Sequence, residues 1–135
     1  MIWVDIIVEN LVPDKQLRKT LHDLLNIHFE KIQVIEDYDD FPDANTMNVV
    51  CQKSLFQSGF VMMLSIYLFG EITKNTPKID EFVSAFSIHM NCKCLLPTES
   101  ENPSQMFLFE GTKKEIVYID ENTLENDGIY TLKKV

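Results

Sequence analysis

The chain has 135 residues, of which 45% are hydrophobic and 24% are charged, so it can form one domain over residues 1–135 and is not broadly disordered. Twelve Lys and Arg residues stand against 21 Asp and Glu residues, which gives a formal net charge of −9. This charge argues against binding to a nucleic-acid backbone, where Lys and Arg supply most of the affinity, and predicts that charged partners are basic.

The start of the chain and its cysteines bear on the compartment. Met1–Asp5 has no basic segment of the kind that opens a signal peptide. The longest apolar run, Phe60–Phe69, is much shorter than the roughly 20 residues that cross a bilayer, so we expect no membrane binding. Cys51, Cys92 and Cys94 are an odd number and are expected to be free thiols. A cytoplasmic protein is therefore predicted.

The first half of the chain shows one helical spacing among several strand patterns. Residues Ile2–Val8 alternate, with Asp5 and Ile7 on the second face, which predicts an opening strand. Pro13 suits a first helical position, and the leucines that follow predict a helix to about Phe29. Further strands are expected at Ile32–Glu36, Met47–Cys51 and Phe60–Phe69.

The second half begins with a helix and continues with strands. Thr76 is a suitable N-cap, Pro77 a suitable first helical residue, and an apolar stripe runs from Ile79 to Met90. Strands are expected at Cys92–Leu96, Gln105–Phe109 and Glu115–Ile119, and Asp127-Gly128 begins a turn into Ile129–Leu132. The order β-α-β-β-β-α-β-β-β predicts the α+β class: two helices packed on a largely antiparallel sheet, with a ferredoxin-like core and added strands.

The apolar run Phe60–Phe69 raises the question of what covers the second face of the sheet. Both faces of this predicted strand are apolar, and two helices cover only one face of a sheet. The other face, with Val61, Met63, Tyr67 and Phe69, would expose a patch that monomers rarely tolerate. Either further segments of the chain or a second copy of it should cover this patch.

Residue types that could carry chemistry are present but do not form known motifs. His89, Cys92 and Cys94 lack a fourth ligand for structural zinc, and packing in the core is the favoured interpretation. Asp37-x-Asp39 and Asp120-x-Asn122 each resemble the start of a calcium loop but lack its glycine and glutamate. No nucleophile elbow, phosphate loop or dinucleotide motif occurs. We therefore expect no catalytic residues, no metal and no cofactor; an enzyme site around His89 and Cys92 remains an alternative.

The most suggestive feature is an acidic loop, Glu36–Asp43. It contains five carboxylates, two aromatic rings and no basic residue: Glu36, Asp37, Tyr38, Asp39, Asp40, Phe41 and Asp43. A second acidic zone contains Glu99, Glu101, Asp120 and Glu121. Such runs are often only solvated loops, but carboxylates around aromatic anchors can also steer and hold a cationic partner. These eleven residues are the predicted partner-binding residues.

The acidic loop, the segment Leu95–Pro103 and the hairpin after it resemble, as a profile over the whole chain, the immunity proteins of contact-dependent growth inhibition and related bacterial polymorphic-toxin systems. The resemblance implies a non-catalytic protein that binds a cognate toxin C-terminal domain. It further implies that this toxin domain is a basic protein, often a nuclease, whose active site becomes blocked.

Two other classes of function remain open from the sequence. The first is a homodimeric structural or regulatory subunit that pairs through the apolar sheet face. The second is a DNA mimic that inhibits a nucleic-acid-binding enzyme, for which regularly spaced surface carboxylates would be typical. The clustering of the carboxylates in this chain favours the docking interpretation over the mimic.

Overall fold

Alternating apolar residues build a sheet on which two amphipathic helices pack. A computed structural model of the chain describes residues 2–133. The strands are β1 Ile2–Val8, β2 Ile32–Ile35, β3 Val49–Leu55, β4 Met62–Leu68, β5 Cys94–Pro97, β6 Gln105–Glu110 and β7 Lys113–Tyr118. The helices are α1 Asp14–Leu25, α2 Ile79–Met90 and α3 Glu121–Asp127. The predicted α+β class is confirmed, whereas the predicted number of two helices is wrong because α3 is a third.

The seven strands form one mixed sheet in the order β2-β3-β4-β1-β5-β6-β7. Only β2 and β3 are parallel within the part of the sheet described, and every other neighbouring pair is antiparallel. The sheet is therefore largely antiparallel, as predicted. The order does not match the predicted ferredoxin-like one exactly, because β2 extends one side in parallel and β6 and β7 extend the other.

The main core lies between the sheet and the helices α1 and α2. Leu17 and Leu21 of α1 and Phe82 and Phe86 of α2 are buried against alternate residues of β1 and β4. Trp3 packs edge-on against Phe82, with 4.8 Å between the ring centroids. We call this side of the sheet the helix face. The side that carries Asp5 and Ile7 of β1, and Ser65 and Tyr67 of β4, is the back face.

Several element ends differ from the predicted ones for local reasons. Asn26 adopts a left-handed conformation, with φ 55°, and ends α1 well before Phe29. Helix α2 begins at Ile79 after an N-cap at Lys78, so Thr76 is not its cap. The segment Ile129–Leu132, expected after a turn at Asp127-Gly128, takes part in two isolated bridges, Phe60 with Tyr130 and Ile119 with Leu132.

The back face is covered by the chain itself over much of its area. A second core cluster lies there: Ile7, Phe60, Leu95, Met106, Leu108 and Ile119, with Met63, Val117, Leu124 and Tyr130 packed against it. Phe60 was expected on the helix face and Val61 on the back face. The structure reverses both, because the regular alternation of β4 begins only at Met62. Helix α3 and the segment after it are therefore part of the cover.

Candidate partner-binding surface

The position of the acidic loop follows from the parallel pairing of β2 with β3. Parallel neighbours need a crossover, because the chain must return to the end of the sheet where the first strand began. Here residues 36–48 make that return without an α-helix, through a 3-10 turn at Tyr38–Asp40. Phe41 in this crossover packs on the back face of β4. The loop is thus a structural connection as well as a charged surface.

The carboxylates of the loop also shape its backbone. The Asp37 carboxylate accepts a hydrogen bond of 2.9 Å from the backbone N–H of Asp39, which caps the 3-10 turn. The Asp43 carboxylate accepts one of 2.9 Å from the backbone N–H of Asn45. Both are local Asx-type turns, in which the short acidic side chain replaces a backbone acceptor. The conformation of the loop is therefore partly set before any partner arrives.

The two aromatic rings of the loop have different roles. Phe41 is half-buried and packs edge-on against Tyr67 at 5.0 Å and against Phe69 at 6.0 Å between centroids. Tyr38 leans on Phe41 at 5.3 Å but keeps 63% of its surface exposed. Phe41 therefore attaches the loop to the sheet, and Tyr38 is the ring that is free to contact another molecule.

Four of the five loop carboxylates carry charge that the described residues do not neutralise. Asp37, Asp39, Asp40 and Asp43 are exposed, and none has a Lys, Arg or His nitrogen within 4.0 Å among residues 2–133. Glu36 differs, since its Oε1 lies 3.6 Å from the Nζ of Lys53.

Lys53 links the loop to the first helix. Its side chain is 11% exposed and also pairs with Asp14 at the start of α1. Burial lowers the pKa of Lys53, but the hydrogen bond and charge of Asp14 together with the charge of Glu36 outweigh it and raise the pKa overall. Glu36 is therefore committed to an internal ion pair and contributes less free charge than predicted.

The second acidic zone does not join the acidic loop. Glu99 and Glu101 are exposed between β5 and β6, and Glu121 is exposed in α3. Asp120 is half-buried and caps α3, where its carboxylate accepts a hydrogen bond of 3.2 Å from the backbone N–H of Thr123. Three strands separate β4, on which the loop packs, from β7, which precedes Asp120. The eleven predicted residues therefore fall into two separate surfaces.

An open groove adjoins the second zone. It has a volume of about 780 Å³ and is lined by exposed apolar side chains of β7 and the C-terminal segment, Ile116, Tyr118 and Leu132, beside Asp120 and Glu121. The sequence did not indicate this groove, because the C-terminal segment is brought to β7 by non-local contacts, the bridge of Leu132 with Ile119 and the hydrogen bond from the Lys133 N–H to the Tyr118 carbonyl oxygen.

The cysteine and histidine candidates are not brought together. His89 is exposed at the end of α2, whereas Cys92 and Cys94 are buried. The Cys94 thiol donates a hydrogen bond of 3.9 Å to the carbonyl oxygen of Cys92. The neighbouring Cys94 thiol lowers the pKa of Cys92, whereas the Cys92 thiol and burial raise the pKa of Cys94. Among the described residues, no three His, Cys, Asp or Glu side chains gather as a metal site. No helix within residues 2–133 has the length and apolarity needed to cross a membrane.

A polar row across the back face was missed by the sequence patterns. Asp5, Ser65 and Gln52 are direct cross-strand neighbours on β1, β4 and β3. The Ser65 hydroxyl donates a hydrogen bond of 2.6 Å to Oδ1 of Asp5. Ser65 interrupts an apolar run, which is the signal that could have revealed the row. The row also depends on the register between β1, β4 and β3, which the sequence alone does not give.

Two tyrosines border this row. Burial, followed by the charges of Tyr38 and Asp5, raises the pKa of Tyr67, whose hydroxyl lies 3.4 Å from Oε1 of Gln52. Burial and the charge of Asp5 raise the pKa of Tyr130. The charge of Asp5 thus raises the pKa of two phenols, Tyr67 of β4 and Tyr130 of the C-terminal segment.

Comparisons of this chain with protein-family models, with curated protein sequences and with solved structures find no match.

Proposed function

We propose that this protein is a non-catalytic binding module of the immunity-protein type, which acts in the cytoplasm by capturing a basic toxin domain and blocking its active site. The observation that carries the proposal is the acidic loop: four exposed, unpaired carboxylates around the exposed Tyr38, held on the sheet by Phe41. The resemblance described above supplies the class of partner.

Charge accounts for the speed of such a capture. A nuclease cleft is basic because it must hold phosphates, and the acidic loop presents carboxylates that can take their place. Complementary fields of this kind raise association rates about 10–10³-fold, and the effect weakens as salt screens it. Fast association suits a protein that must silence a toxin before the toxin acts.

Charge alone does not account for tight binding, because exposed ion pairs contribute little. Tyr38 supplies a large amphipathic ring at the centre of the charged segment, and such rings are typical hot-spot residues. The Asx turns and the packing of Phe41 reduce the entropy that the loop loses on binding. The loop therefore combines steering charges with a pre-organised anchor.

The proposal predicts that the reading frame directly upstream of this chain ends in a large secreted protein with a variable C-terminal domain, and that domain is the partner for the test. Growth rescue is measured in cells that express this domain, and binding kinetics are measured at low and high salt. The double variant Asp39→Asn/Asp40→Asn should slow association about tenfold at low salt and flatten the salt dependence. Tyr38→Ala should raise the dissociation rate by about 30-fold, the equivalent of about 2 kcal/mol.

The control is a charge-matched double variant, Glu81→Gln/Glu110→Gln, at exposed sites outside both acidic zones. It should leave both rate constants unchanged. If the upstream domain does not bind, or if loop variants and control behave alike, the proposed function is wrong.

A further inference from the structure

The carboxylate of Asp5 occupies an unusual place for a charge. It lies on a central strand of the seven-stranded sheet and is only partly exposed. Within the described part of the chain, Ser65 is its hydrogen-bond donor, on Oδ1, and no cationic nitrogen lies within 4.0 Å. The other oxygen, Oδ2, has no donor among these residues. Since no buried side-chain oxygen of the described residues lacks a partner, Oδ2 reaches the surface and can accept a hydrogen bond from an arriving cation.

The cation does not come from the chain's own arginine. Arg18 is the single arginine of the sequence. It lies on α1 and donates to the carbonyl oxygens of Ile32, at 3.1 Å, and Phe29, at 3.0 Å, and its guanidinium stacks over the Phe29 ring at 4.3 Å. Arg18 therefore satisfies backbone carbonyl oxygens at the start of β2 and just before it, and it is not available to Asp5.

Two aromatic rings share the back face with the Asp5 carboxylate. Tyr67 follows Ser65 by two positions on β4 and thus lies on the same face, where Phe41 packs against it. Tyr130 belongs to the C-terminal segment and packs against Phe56 at 5.3 Å between centroids. The strip between the acidic loop and the C-terminal segment therefore combines one carboxylate with two phenol rings.

Such a strip fits a guanidinium better than other cations. A guanidinium is planar, donates two parallel hydrogen bonds to a carboxylate and stacks on aromatic faces, whereas an ammonium is a compact, strongly hydrated point charge. Ser65 holds the Asp5 carboxylate from one side and leaves Oδ2 for a second donor. Arginine is also one of the residues that dominate binding energy at protein interfaces.

We propose that Asp5, oriented by Ser65 and sharing the back face with Tyr67 and Tyr130, is the receptor for one arginine side chain of the basic partner. This inference rests on the proposed function and deepens it, because it assigns a second, specific contact beside the acidic loop. Asp5 acts as the ligand of the guanidinium, and Ser65 acts as a positioning residue.

The experiment uses the full chain and N-acetyl-L-arginine amide as the probe, with amide chemical shifts followed by NMR. The citrulline analogue is the neutral isostere, and the lysine analogue is the competing cation. The arginine probe should shift the signals of Asp5, Ser65, Tyr67 and Tyr130, and the citrulline probe should not. Asp5→Asn should weaken arginine binding about tenfold or more, as expected for a charge-assisted hydrogen bond.

Glu81→Gln is the control, since it removes the same charge from an exposed site on α2 and should leave the affinity unchanged. Ser65→Ala keeps the Asp5 charge and should weaken arginine binding about threefold, while binding of the lysine probe changes less. If Asp5→Asn does not fold, the comparison of the three probes on the wild-type chain and on Ser65→Ala decides the question.

Three results would overturn the inference: citrulline binding as well as arginine, lysine binding as well as arginine, or shifts confined to the acidic loop. Its failure is distinguishable from that of the proposed function. A toxin domain that binds Asp5→Asn normally but loses affinity for the loop variants leaves the proposed function standing and removes only the arginine site.

Discussion

Phe41→Ala separates the structural role of the acidic loop from its charge. The ring of Phe41 is half-buried and makes edge-on contacts with Tyr67 and Phe69. Removing a fully buried Phe costs about 3–5 kcal/mol, so the half-buried ring predicts a loss of about 2 kcal/mol in the free energy of unfolding. Tyr38→Ala is the matched control: 63% of its surface is exposed, and we expect a change within about 0.5 kcal/mol.

The assay is urea unfolding followed by circular dichroism. For a chain of this size, a loss of about 2 kcal/mol lowers the urea midpoint of Phe41→Ala by about 1 M without changing the slope. Amide hydrogens of residues 36–48 should also exchange faster in this variant than in Tyr38→Ala, because the crossover has lost its attachment to β4. Equal midpoints for the two variants would show that Phe41 does not attach the loop and that the assigned roles of the rings are wrong.

Three further predictions concern the cover of the back face and the core. Gly59→Ala should lower the free energy of unfolding by about 2–3 kcal/mol, because Gly59 has φ +73° and an added Cβ would clash with the backbone carbonyl oxygen of Tyr130. Gly128→Ala, with φ +65° and open space around the added Cβ, should lower it by only about 1 kcal/mol, and the urea midpoints of the two variants measure the difference. Burial raises the pKa of Tyr67 and Tyr130. The stability that they contribute is therefore complete below the unfolded tyrosine pKa of about 10 and falls as the pH rises through their folded pKa values. Unfolding at pH 8 and pH 11 measures this loss of stability, and absorbance at 295 nm follows the ionisation of the tyrosines. Burial raises the pKa of Cys51 to about 12, so its thiol should resist Ellman's reagent at pH 8 until urea unfolds the chain. Rapid labelling of Cys51 in the native protein would contradict its assignment to the core.

The sequence predicted those elements whose patterns are local. The range Ile2–Val8 matches β1, and the apolar stripe of the second helix matches α2 from Ile79 to Met90. The strict alternation was wrong at the start of β1, because a register shift between Ile2 and Val4 places Trp3 on the helix face, against Phe82, and pairs Ile2 with Tyr67 of the back face. The end of α1 was wrong because Asn26 takes a left-handed conformation, which a leucine spacing does not reveal. Helix α3 was missed, although an Asp at its N-cap and Gly128 at its C-cap are ordinary helix signals.

Non-local features could not be predicted in the same way. The acidic loop was recognised from composition, but its attachment through Phe41 depends on β2 and β3 being parallel neighbours, which no local pattern indicates. The same holds for the row of Asp5, Ser65 and Gln52, which exists only once three strands from distant parts of the chain are in register. Whether the loop residues bind a partner stays a prediction.

The crossover between β2 and β3 has a consequence for how this protein can diversify. A helix in that place would commit every third or fourth residue to packing, whereas this segment is attached through the ring of Phe41 in its middle and through polar contacts of Glu36 and Asn48 near its ends. The side chains of Tyr38, Asp39 and Asp40 are exposed and make no hydrogen bond or ion pair with the described residues, so substituting them breaks none of these bonds. Under the proposed function, substitutions at a few exposed positions of this one connection can therefore change which partner is bound without changing the fold.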